Sequence, residues 1–135
     1  MSTAAVKVHG VRRLVLFALL VAAALPAARS GASPAVQCPA GALLPLETNS
    51  IGPASAAALA REDPESRPLV VSATLANLDT DRGPIARRQC GTRVWNRTVV
   101  VYIGLRALAP SASLSSRVSF VGRFKTGYRV WQIVH

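Results

Sequence analysis

Residues 117–134 read RVSFVGRFKTGYRVWQIV. Val118, Phe120, Gly122 and Phe124 alternate with Arg117, Ser119, Val121 and Arg123. That is the two-residue period of a strand with one mainly apolar face. Lys125, Thr126 and Gly127 break the pattern with a residue free to take positive φ, and 128–134 returns. A three-residue loop sets Phe124 opposite Tyr128, Gly122 opposite Val130, Phe120 opposite Gln132 and Val118 opposite Val134. The other face then pairs Val121 with Trp131 and Arg123 with Arg129. Like charges directly opposite one another destabilise a sheet by up to about 1 kcal/mol. They are tolerated where both side chains reach water, where Trp131 stacks on one of them, or where an anion sits between them.

Upstream, 94–105 (VWNRTVVVYIGL) is the strongest strand. Its middle, 98–103, is apolar on both faces, as a central strand covered on two sides must be. Residues 104–116 (GLRALAPSASLSS) read as a loop. Residues 69–78 (LVVSATLANL) form a further strand, and 79–83 (DTDRG) with Pro84 is a turn signal. Residues 54–62 (ASAAALARE) are the best helix candidate, with Pro53 before it, Ser55 as N-cap and Pro64 as its stop. A helix this short needs a surface to pack on.

The chain is therefore expected to be α+β: a short N-terminal helix packed on a meander of about four antiparallel strands, tied by one disulfide. Residues 33–52, rich in Pro and Gly, form an extended arm, and 53–135 the small α+β domain. Cystatin-like architectures, with a helix on a curved sheet, are similar to this element order by analogy of layout.

Residues 1–32 read as a signal peptide. Lys7, Arg12 and Arg13 precede the uncharged run 14–25, Pro26 ends it, and Ser30, Gly31 and Ala32 supply small residues for a peptidase. The run is short for a full membrane span, so no integral membrane protein is expected after cleavage. The expected location is secreted or associated with the cell envelope. Cys38 and Cys90 both lie beyond the leader. An even count in an exported chain points to a disulfide between them. Closing a loop of about 50 residues is worth roughly 4 kcal/mol.

Charge is unevenly spread. Residues 33–81 hold all six carboxylates and two Arg, a net of −4, while 82–135 hold nine Arg and Lys125 with no acid, a net of +10. Arg93, Arg97, Arg106, Arg117 and Lys125 share that half with Arg123 and Arg129. Arg97, Arg117, Arg123 and Arg129 are the candidate anion-binding residues, because guanidinium forks match phosphate and carboxylate. Part of this Arg content reflects a composition rich in Ala, Arg, Val and Pro, as a high-GC coding sequence gives.

Enzyme signals are thin. Asp79 and Asp81 are turn formers, His135 is the one His beyond the leader, and there is no Ser-His-Asp set or Gly-rich phosphate loop. No catalytic residue, metal or cofactor is expected. Asn96-Arg97-Thr98 matches a glycosylation sequon by chance. The expected function is a small non-enzymatic binding module whose basic sheet face meets an anionic envelope or extracellular polymer. The alternative is an inhibitor presenting the 104–116 loop to a protease.

Overall fold

The structure, a computed structural model, describes residues 36–112 and 114–135. The expected leader 1–32, its cleavage site and the start of the arm lie outside the described residues. The fold is α+β, with two helices, a four-stranded antiparallel sheet and one disulfide. The strands are β1 (Pro68–Leu75), β2 (Thr98–Leu105), β3 (Ser116–Phe124) and β4 (Gly127–Val134), in the order β1-β2-β3-β4. Helix α1 (Ile51–Leu59) precedes the sheet, and α2 (Gly83–Trp95) connects β1 to β2.

β2 is buried or half-buried along its whole length, as its doubly apolar run requires. Val99, Val101, Ile103 and Leu105 pack with Ala54 and Ala58 of α1. Val100 points the other way and packs with Phe120 and with Ala86 of α2. Each helix thus covers one face of the sheet. The Ala side chains at both contacts let helix and sheet approach closely.

Helix α1 starts three residues earlier than the sequence predicts. Pro53 lies in its first turn, where the missing amide has no intrahelical acceptor to lose. Ser55 is inside the helix, and Ser50 precedes it without a side-chain capping bond. The Ser50 hydroxyl instead accepts the Glu47 amide at 2.7 Å and bonds the Tyr128 hydroxyl at 2.6 Å.

Helix α2 is not foreseen by the turn signal at 79–83. Pro84 occupies its first turn, a helix-start position. Asp79 caps it from outside: one carboxylate oxygen, Oδ1, accepts the amides of Asp81, Arg82 and Gly83. A Cβ at Gly83 would run into the Ala76 carbonyl, so only glycine lets the helix begin there. Gly91, at φ 84°, breaks the helix one residue after Cys90.

The hairpin register differs from expectation near the turn. Phe124 pairs with Gly127 across a two-residue loop, Arg123 with Tyr128, Gly122 with Arg129 and Val121 with Val130. A β-bulge then restores the expected pairs Phe120–Gln132 and Val118–Val134. The bulge admits Trp131 as an extra residue, and its ring sits 5.5 Å from Phe120.

The arm is tied to the domain by Cys38–Cys90, with Cα atoms 5.4 Å apart. It makes a short 3-10 turn at Ala40–Ala42. Leu43, 1% exposed, then packs with Val94 and Phe124. Leu43 sits directly on Gly122, where any Cβ would strike it. Leu44 forms an isolated bridge with Arg123.

Candidate functional site

The strip of arm from Gly41 to Glu47 crosses the end of the sheet, and the candidate cations sort around it. Arg97 donates to the Leu43 carbonyl. Arg123 bonds the Pro45 carbonyl and pairs with Glu47. Arg129 lies over the Phe124 ring at 4.3 Å. Arg117 is elsewhere: at the far end of β3 its Nη1 meets the Glu62 carboxylate at 2.9 Å, with the Glu62 side chain 1% exposed.

The expected facing of Arg123 and Arg129 does not occur. The one-residue register difference sends them to opposite faces of the sheet, which removes their repulsion. So three of the four candidates gather at the arm end, but Arg97 and Arg123 spend their donors on the arm itself.

Clefts lie on either side of this strip. One of about 750 Å³ is lined by Leu46, Glu47 and Ile51 on one side and Arg93, Asn96 and Arg97 on the other. A second, of about 520 Å³, is lined by Ala42, Leu44, Phe124, Lys125 and Arg129. A third, of about 400 Å³, has Ala57, Arg61, Tyr128 and Val130 around the same Phe124–Arg129 pair. Sequence reasoning puts Arg93 and Lys125 in the basic half without placing them. It misses Arg61 and Phe124 as cleft walls, although Phe124 stands immediately before the turn.

Among the described residues, the ion pairs are Arg82–Asp81 at 3.7 Å, Arg117–Glu62 and Arg123–Glu47. Arg61, Arg67, Arg87, Arg88, Arg93, Arg97, Arg106, Lys125 and Arg129 have no carboxylate partner there. Arg87 stacks on Trp95, 5.0 Å from the ring centre. Cationic surface therefore exceeds what the fold neutralises internally.

Asp79 is committed to structure. Its second oxygen accepts the Tyr102 hydroxyl at 2.9 Å. Burial pushes its carboxyl pKa up, but the Arg82 amide, the Tyr102 hydroxyl and the Gly83 and Asp81 amides together hold it below the usual value. Burial, with the Asp79 carboxylate beside it, pushes the Tyr102 hydroxyl pKa well up. Among the described residues no group of three or more His, Cys, Asp or Glu is arranged to hold a metal ion. No helix among them is long and apolar enough to cross a membrane. The loop between β2 and β3 is folded into successive turns, with Leu108 and Leu114 exposed. Asn96 is exposed just after α2, while Thr98 is buried with its hydroxyl on the Val94 carbonyl.

No protein-family model, curated protein or solved structure matches the chain.

Proposed function

We propose that the protein is a small exported, non-enzymatic binding module that takes an anionic envelope or extracellular polymer at the arm end of its sheet. The observation that carries this reading is the group of cations around the two arm clefts and the adjoining third, Arg93, Lys125 and Arg129 with Arg61 in the third, none of which has a carboxylate partner among the described residues. Unneutralised cations beside clefts raise the local concentration of anions and offer donors to them. The disulfide supports export, since such bonds persist in oxidising compartments. Asp79 supports a non-enzymatic reading, because both its oxygens are already occupied by the fold.

Polyphosphate binding, followed by titration calorimetry, tests the reading. Affinity is expected to fall steeply between about 50 and 200 mM salt, because binding releases counterions. A triple variant, Arg93→Gln with Lys125→Gln and Arg129→Gln, should lose most of the affinity. Arg106→Gln, in the β2–β3 loop, should keep it. Absent binding, or affinity flat with salt, overturns the proposal. Mass spectrometry of the native protein, with and without reductant, checks leader removal and the bridge together.

A further inference from the structure

We infer that the 520 Å³ cleft between the arm and the β3–β4 turn holds a single-chain anionic amphiphile: an alkyl tail ending in a phosphate or carboxylate. This rests on the reading that the arm end takes anions, and it names a ligand class for one part of that end.

The walls of the cleft are hydrocarbon. Gly41, Ala42 and Leu44 of the arm face Phe124 of β3. The polar groups are Lys125 and Thr126 of the turn and Arg129 of β4, and no carboxylate lines the space. A mostly apolar concavity with a few convergent polar groups, within about 300–1,000 Å³, is the usual form of a small-molecule site. A hydrophilic polyanion gains nothing from such walls, whereas an alkyl chain gains about 25 cal/mol for each Å² it removes from water.

Arg129 supplies the head-group contact. The Phe124 ring covers one face of its guanidinium at 4.3 Å. The N–H groups lie around the edge of the plane, and among the described residues no side chain or carbonyl accepts from them. Stacking limits the rotamers that a free Arg would lose on binding, so the fork is partly preorganised. Lys125, exposed at the turn, adds a second positive charge at the same rim. Arg129 and Phe124 also wall the 400 Å³ cleft, whose lining continues through Ala57 and Val130 with Arg61. The anchor thus has apolar surface on both sides.

Dodecyl phosphate, kept below its micelle concentration, is the probe, with dodecyl maltoside and inorganic phosphate as the two halves of its chemistry. Saturable 1:1 binding of dodecyl phosphate, with neither control matching it, is expected by titration calorimetry. Arg129→Gln should weaken it by about tenfold, the size of one lost charge-assisted hydrogen bond, and Lys125→Gln by less. Ala42→Trp, at an exposed position, should fill the cleft and abolish amphiphile binding while leaving the melting temperature near wild type. Equal binding of either control overturns the inference. So does a folded Ala42→Trp protein that still binds dodecyl phosphate normally, and in that case the polymer reading stands. Binding to phosphatidylglycerol vesicles, with none to dispersed dodecyl phosphate, also overturns it. If polyphosphate fails while dodecyl phosphate binds with these requirements, the polymer reading falls and the cleft assignment stands.

Discussion

Among the described residues Asp79 has the most heavily hydrogen-bonded side chain, and its charge state is tied to stability. Three amides and the Tyr102 hydroxyl all donate to it, and each favours the ionised form. Since its folded pKa lies below the ordinary carboxylate value, the native state binds fewer protons there than the unfolded chain. The resulting stability is complete above the unfolded value of about 3.9 and is lost as pH falls through the folded pKa. Thermal melts from pH 7 to pH 2 should show it. Wild type is expected to lose stability more steeply below about pH 5 than Asp79→Asn, which starts lower by about 1–3 kcal/mol at neutral pH. Tyr102→Phe should lower neutral stability by about 1 kcal/mol and keep most of the slope, because the three amides remain. Parallel curves for wild type and Asp79→Asn would show that this carboxylate is not tuned.

What the sequence makes legible at the level of strands follows from strict alternation and long apolar runs. The doubly apolar run 98–103 becomes the covered central strand, and the alternation in 117–124 becomes β3. Adjacent Val130 and Trp131 break the alternation in β4, and the bulge falls there. Helix α2 is hidden because it lacks a continuous apolar stripe: its first turn is pinned by Asp79, and Gly91 interrupts it. The cation cluster was only partly legible, since Arg123 and Arg129 change partners with a one-residue difference in loop length. The arm contact was hidden in Gly122. This glycine looks like a weak point of a strand, yet its missing side chain is the seat of Leu43. Gly122→Ala is expected to displace Leu43 and to destabilise by about 1–3 kcal/mol through overpacking. Pairing it with Leu43→Ala should cost less than the sum of the two single losses, because the clash then has no partner. Urea denaturation of the four proteins measures the coupling, and strict additivity would mean that the two residues do not meet.

The molecule joins two kinds of construction: a sheet sandwiched by helices, and an arm held at its end by scattered contacts. The sheet core is made of β2, β3 and the two helices. The arm depends on Leu43, the Leu44 bridge, two Arg–carbonyl bonds, the Arg123–Glu47 pair and the disulfide. Cys38 and Cys90 are 52 residues apart in sequence, so their bond removes substantial freedom from the unfolded chain, worth roughly 4 kcal/mol. It also acts locally, because a tethered arm that lifts away from the sheet cannot diffuse far. The paired variant Cys38→Ser with Cys90→Ser separates the two effects. Global stability by urea should drop by about 2–4 kcal/mol, with far-UV circular dichroism unchanged at low denaturant. Native-state hydrogen exchange should then show the Leu44 amide, bonded to the Arg123 carbonyl at 2.8 Å, losing more protection than the amides of β2. The arm would open by itself, at a lower free energy than the core. If Leu44 and β2 lose protection by the same factor, the arm opens only when the sheet does. The bridge would then serve global stability alone, and the arm-side wall of the clefts would be as rigid as the sheet beneath it.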